Sequence, residues 1–534
     1  MRNGTLLFDS GARQSTTIRG VLATLLILAV TGGVVGVLAL GSVDVAGAWR
    51  AVIDDRDFLN RLGFSLAQAA AATGIGLVVG LPASWFLSRG SLPLRGLLLM
   101  LVVAPLALPG LVVGMGIDVV AGGVILPRVL VVLAHAVFAT ATVAWLVTPA
   151  WSGGQTRLAE DARLLGAGRL RAYLLGPGRL VPSAIRVSAA LTFWCAFASA
   201  GAVASVGGGD AATTESVLAF GEPVGLSRPG GDGIDGAQQA AIALIQILIG
   251  VAVLASGGPR WPRMGAVPAR SGRGVTIIGT LYLLTLAAAL WAPLGLVVRE
   301  AAAGGAVAGL MDTNIGGDTV PSLLLWTGVL AGLSALAATL TAWLGSGLLA
   351  RRGGRRASVL ARWSLVLPAA LTGASLGWAG LVLASRVGVD LDRTYLMTVA
   401  AHALLAYPFA LRILGTRRPV DVPLLEDAVM LGASTRSVRW RGMGRRTVMA
   451  LASAFLIAAV LSVGEVAATS LLTPANATPA ALGLLSAWVS SGAGDGVPFT
   501  DEGYALAAAL AVVTVIAFAG AEWLRRAAAR VEAG

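Results

Sequence analysis

Lysine is absent from this 534-residue chain: all 39 basic residues are arginine. A Walker A loop holds its phosphates with a lysine, so the chain cannot contain one. Cysteine occurs once, at Cys195, which excludes an intrachain disulfide and leaves the redox compartment unread. Charge is scarce as well. Charged residues are 12% of the chain against 56% hydrophobic, with a mean hydropathy of +0.82. A soluble domain carries about 25% charged residues, so the bulk of this chain belongs in lipid. The first apolar run, from Val21, is followed by many others and by no clear cleavage site, and reads as a span rather than a leader.

What is present is a series of long apolar runs. A membrane-crossing helix needs about 20 mostly apolar residues. Twelve candidates follow, near 20–41, 62–87, 96–117, 129–149, 184–206, 237–257, 275–298, 321–350, 358–385, 394–415, 446–470 and 503–524. With the N-terminus in the cytoplasm, 31 arginines fall on the inner side and 39 − 31 = 8 on the outer. That bias in short loops sets the orientation, predicting a multi-pass protein of the plasma (inner) membrane with both termini cytoplasmic. The net charge of +12 then reflects topology, and no nucleic-acid partner is expected. The outer loops are acidic: Asp44, Asp54, Asp55 and Asp57 in one, Asp210, Glu215, Glu222, Asp232 and Asp235 in another. Ordinary solvated loops explain them better than a docking surface for a cation.

The chain repeats itself. LAEDARLLGAG at 158–168 returns as LLEDAVMLGAS at 424–434, Glu160 and Glu426 being 426 − 160 = 266 positions apart. Phe86–Gly90 (FLSRG) before APLALPG pairs with 349–353 (LARRG) before LPAALTG, and His135 pairs with His402. The fold class expected is an all-α membrane protein: twelve transmembrane helices in two six-helix halves, 1–257 and 275–534, joined by a cytoplasmic linker, 258–274. Six is even, so the halves lie the same way up, related by a pseudo-twofold axis along the membrane normal. Each charged copy lies on the cytoplasmic side between the fourth and fifth spans of its half. The pattern predicts a short helix outside the bilayer. Glu160 and Asp161 would sit in its first turn, Leu164 and Leu165 would give it an apolar face, and Gly166 would turn the chain back.

EDARLLGAG and EDAVMLGAS resemble the "EAA" loop of ABC importer permeases. Glu160, Ala162, Gly166 and Glu426, Ala428, Gly432 fall on that pattern, while Asp161 and Asp427 stand where the family usually has alanine. The family's Leu-Pro past the glycine is replaced here by Gly178-Arg179 and Gly444-Arg445. The resemblance implies coupling helices, near 157–180 and 423–446, that dock into two copies of a separate ABC ATPase subunit. CAFASAGAVASVGGGDAATTESVLAF at 195–220, SVGEVAAT at 462–469 and GAQQAAIALIQILIG at 236–250 are similar to the fused permeases for thiamine and ferric iron. That implies a type I ABC importer permease fold and a transport subunit that is not itself an enzyme. It also implies an extracytoplasmic substrate-binding protein, and no cofactor in this chain, with ATP and Mg held by the ATPase. The favoured cargo is a small cation, thiamine, with ferric iron as the alternative. A secondary transporter of two parallel six-helix halves is the rival from another class; it would need several intramembrane acids.

Glu465 is the one carboxylate this reading places well inside a span, a few residues before the outer end of the eleventh helix, with Ala202 as its counterpart in the first half. An ionised acid in lipid costs several kcal/mol. It therefore either lines the translocation path or serves as a hydrogen-bonded structural acid. His135 and His402, being repeat mates without a Cys or carboxylate cluster, read as helix-packing groups rather than metal ligands.

Overall fold

The structure is a computed structural model that describes residues 10–41, 45–121, 124–151, 153–206, 211–220, 236–257, 272–303, 305, 309–349, 355–388, 390, 395–415, 431–432, 434, 444–474, 476–491 and 499–531. In hydrocarbon every backbone N–H and C=O must be paired within the segment, and the apolar runs accordingly fold as helices. In the first half these are α1 (Ser10–Gly41), α2 (Val45–Asp54), α3 (Arg56–Leu87), α4 (Arg95–Val103), α5 (Gly110–Ala121) and α6 (Pro127–Val147). Then follow α7 (Gly153–Leu164), α8 (Arg169–Leu175), α9 (Pro177–Phe197), α10 (Gly201–Ala204), α11 (Thr214–Phe220) and α12 (Gly236–Ser256). The second half contains α13 (Arg273–Ala303), α14 (Val320–Leu349), α15 (Arg355–Ala369), α16 (Gly373–Val387) and α17 (Leu396–Gly415). It continues with α18 (Arg445–Val463), α19 (Ala467–Leu472), α20 (Ala480–Ser490) and α21 (Asp501–Val531), and a two-residue β-hairpin, Asn314–Ile315 with Asp318–Thr319, precedes α14.

Ten described helices are long and apolar enough to cross a membrane, and twelve spans result if each of two bent pairs counts as one. The bent pairs are a departure from the continuous helices expected at 96–117 and 358–385. The first breaks between Ala107 and Gly110 with a 98° bend, the second between Ala369 and Gly373 with an 82° bend. Proline explains the place. It lacks the N–H that would continue the ladder, and Pro105 and Pro109 flank the first break as Pro368 precedes the second. Past the second break Thr372 accepts from the Ser375 N–H and the Ser375 hydroxyl accepts from the Thr372 N–H, a capping box that starts α16 afresh. The spans expected at 184–206 and 446–470 are likewise shorter, ending at Phe197 and Val463, and each is followed by a short helix, α10 or α19.

The elements repeat in register. Gly110 and Gly373, 373 − 110 = 263 apart, each open the second arm of a bent pair. Phe197 and Val463, 463 − 197 = 266 apart, each end the helix before the short one. The first helix of each half lies largely on the other half, α1 on α14, α15 and α16 and α13 on α3, α4 and α5, while each also packs on the last helix of its own half, α1 on α12 and α13 on α21. Two indole and phenol donors fasten the second crossing, Tyr282 Oη to the Val79 carbonyl and Trp291 Nε1 to the Leu101 carbonyl, both at 2.7 Å. Small residues allow the close approaches, with Gly279 against the Phe86 ring and Gly116 against the Pro293 backbone.

Candidate functional site

The repeated charged element is described in full in its first copy. Its helix α7 starts at Gly153, so Glu160 and Asp161 fall in the second half of the helix rather than in its first turn. The dipole argument for them therefore fails: their carboxylates do not lie at the positive end. The end of the helix is as the sequence predicts. Gly166 has φ +88°, the left-handed region that favours glycine. The Gly166 N–H donates to the Arg163 carbonyl and the Ala167 N–H to the Ala162 carbonyl, both at 2.9 Å, the paired bonds of a Schellman cap. Leu164 and Leu165 stay 86% and 88% exposed, and α8 beyond the turn leaves Leu170 and Leu174 exposed too. In the second copy Glu426, Asp427 and Ala428 lie outside the described residues. Leu431 and Gly432 are described, and they match their mates: Gly432 has φ +94° and Leu431 is 88% exposed. Of the linker 258–274, residues 258–271 also lie outside the described residues.

The second site is where the halves meet. Glu465 does not sit within a helix. It occupies the break between α18 and α19, and its Oε1 accepts from the N–H groups of Ala467 (3.0 Å) and Ala468 (3.2 Å). The same 266-residue register places Ser199, not Ala202, opposite it. Gly373 touches Glu465 so closely that a Cβ there would overlap Oε1, and at the equivalent place Gly110 lies beside both Ala202 (3.5 Å) and Ser199 (3.8 Å). Gly464 touches Pro109, and Gly201 touches Val466, which puts the two short helices side by side between the halves. The Glu465 side chain remains 16% exposed, and His402 Nε2 lies 3.7 Å from its Oε2.

Glu215 is a residue the sequence reading misplaced. Assigned there to an acidic outer loop, it is fully buried in α11. Its Oε1 accepts from the Ala374 N–H of α16 at 2.9 Å, reaching from one half into the other. With its amide nitrogen turned toward Glu215, Gln246 donates to Glu215 Oε2 at 3.0 Å and to the Thr372 hydroxyl at 3.3 Å, while its oxygen accepts from the Glu215 N–H. The residues after Glu215, SVLAF, are apolar or small and all buried; that apolar run was the signal available in the sequence. Asp44, Asp210, Glu222, Asp232 and Asp235 lie outside the described residues.

Both histidines tie helices together. His135 Nδ1 donates to Gln68 Oε1 at 2.7 Å, and Gln68 Nε2 donates to the Ala196 carbonyl at 2.8 Å, linking α6, α3 and α9. The Thr469 hydroxyl donates to the Glu465 carbonyl, so His402 Nε2 donates to Thr469 Oγ1 (2.9 Å) and its Nδ1 accepts from Ser462 (2.8 Å). Among the described residues no group of three His, Cys, Asp or Glu could hold a metal ion.

Family models, curated proteins and solved structures return no match to the chain. The chain is a multi-pass, all-α protein by its own helices, and what it does rests on the geometry above.

Proposed function

We propose that the chain is the fused permease subunit of an ABC importer, moving a small cationic substrate across the membrane by alternating access. The observation that carries this reading is the pair of left-handed glycines, Gly166 and Gly432, each behind a leucine that is 88% exposed (Leu165 and Leu431). In the first copy the exposed leucine is one of several, with Leu164, Leu170 and Leu174, and a cluster of exposed apolar side chains outside a span suits a protein contact. Two equivalent ones suit two copies of one partner, which is what a pair of ATPase subunits requires of a single-chain permease. Glu160, Asp161, Ala162 and Glu426, Asp427, Ala428 would complete the two docking elements. ATP binding would close the ATPases and draw the halves from inward- to outward-facing; hydrolysis would reset them. A binding protein would deliver the cargo from outside, both termini being cytoplasmic. Glu465, partly exposed between the halves, is the residue that would meet a cation; thiamine is favoured and ferric iron is the alternative. The test is affinity capture of the full chain from membranes in mild detergent. An ABC ATPase should co-purify in a ratio of about two per chain, and be lost when Leu165 and Leu431 are both replaced by Glu. Capture without any ATPase would refute the reading.

One observation favours the secondary transporter: Glu215 makes a second buried carboxylate beside Glu465, where the sequence offered one. Uptake that follows an imposed ion gradient in ATP-depleted vesicles would select it.

A further inference from the structure

Apart from the first helices α1 and α13, each of which lies largely on the opposite half, two equivalent seams join the halves. At the first, α11 of the first half lies against α16 and α19 of the second. At the second, α20 of the second half touches α10 of the first, beside α5.

The first seam is bonded by side chains. Glu215 accepts from the Ala374 N–H (2.9 Å), Trp378 Nε1 donates to the Leu218 carbonyl (3.0 Å) and the Ser470 hydroxyl to the Ala219 carbonyl (3.0 Å). Nearby, Trp194 Nε1 donates to the Ala369 carbonyl (2.6 Å), and Gln246 bonds Thr372. Each of these bonds crosses from one half to the other.

The repeat register shows what stands at the second seam. With offsets of 263 on the bent spans and 266 on the later helices, Glu215 corresponds to Ala481, Trp378 to Met115 and Ser470 to Ala204. By the same register Trp194 corresponds to Val460 and Thr372 to Pro109. None of the five counterparts has a side-chain hydrogen-bonding group of N–H or O–H type. The packing differs in the same sense: α11 rests on both α16 and α19, whereas α20 touches α10 slightly and makes no comparable contact with α5. Buried hydrogen bonds are directional and costly to leave unmade. An apolar seam slides, or parts where lipid can cover it, with no such penalty.

We propose that the halves separate at one seam only: α11–α16/α19 is a fixed hinge, and α20–α5/α10 is the side that opens. The inference rests on the halves moving against each other, as the transport reading requires, and it holds whichever energy source drives them. Glu465 sits between the two short helices, at the edge of the hinge, so a pathway opening at the other seam would expose its free side.

Cysteine reactivity in membranes tests this with no need of cargo or ATPase, so it stays readable if the import reading fails. In a Cys195→Ala background, single cysteines replace equivalent buried residues: Leu218 or Ala219 at the hinge, Leu484 or Leu485 at the opening seam. A small membrane-permeant maleimide should label the opening-seam cysteines at least tenfold faster. Equal rates, faster labelling at the hinge, or no labelling at either seam would overturn the proposal. Ser470→Ala, which removes the bond to the Ala219 carbonyl with little change in shape, should raise labelling at Ala219→Cys severalfold and leave Leu485→Cys unchanged. A rise at both, or at neither, would also overturn it.

Discussion

Single residues decide the turns of the proposed docking elements and the acid between the halves. A side chain in the left-handed region costs roughly 1–2 kcal/mol, and at Gly166 and Gly432 nothing lies within 4 Å of an added Cβ, so the cost is conformational alone. Gly166→Trp with Gly432→Trp should leave the chain inserted yet uncouple ATP hydrolysis from uptake; hydrolysis and uptake measured side by side in vesicles check it, and unchanged uptake sinks it. Glu465→Gln keeps size and one acceptor for the α19 amides while removing charge. If the acid meets a cation, uptake per assembled complex should fall roughly tenfold to a hundredfold, the worth of about 1–3 kcal/mol in one charged contact, with the melting temperature nearly unchanged. A lowered melting temperature with normal uptake per complex would make it a structural cap. Gly166 was legible in the sequence because its conformation follows from the few residues around it. Glu215 was not, because its burial depends on Ala374, 374 − 215 = 159 positions away.

Elements follow the sequence where the signal is local. Apolar runs become helices because lipid offers the backbone no partner, and the repeat fixes their order. Their interruptions were harder to read. Proline and glycine are common in membrane helices, so Pro105, Pro109 and Pro368 alone did not say whether a span bends or merely kinks. The start of α7 at Gly153 escaped for a related reason: the charged motif drew the helix start to itself, while the glycine-rich residues before it joined the helix. The two bends make a paired prediction. Gly373→Ala would drive a Cβ into Glu465, whereas the nearest atoms to a Cβ at Gly110 lie at 3.5 Å, ordinary contact. The first change should destabilise by about 1–3 kcal/mol, the usual cost of overpacking. The second should be neutral or gain up to about 1 kcal/mol from the lost glycine freedom. Melting of the two variants in detergent, read by tryptophan fluorescence, checks the contrast; equal losses would show that the bends are not differently packed.

The whole molecule is two halves that have exchanged their first helices. Expression of residues 1–264 alone, or of 265–534 alone, should give unstable protein, and co-expression of the pair should restore a stable assembly, as measured by pulse-chase and co-purification. If the arginine bias sets the orientation that the sequence predicts, a cysteine at Ser227 should be labelled by an impermeant reagent from outside the cell, and labelling only from the cytoplasmic side would refute it.

The exchange also imposes a wait during synthesis. α1 ends at Gly41 and its partner α14 begins at Val320, so 320 − 41 = 279 residues must be made before the two can meet. At about 5–20 residues per second that is roughly a quarter of a minute to a minute, spent by α1 in the bilayer with most of its eventual neighbours not yet made. The equivalent helix α13 finds α3, α4 and α5 already made and waits only for α21. Among the ten unbroken spans described, the α1 segment Gly20–Ala39 has the highest mean hydropathy and the smallest buried share. The helix that waits longest is the one whose own surface lipid solvates best.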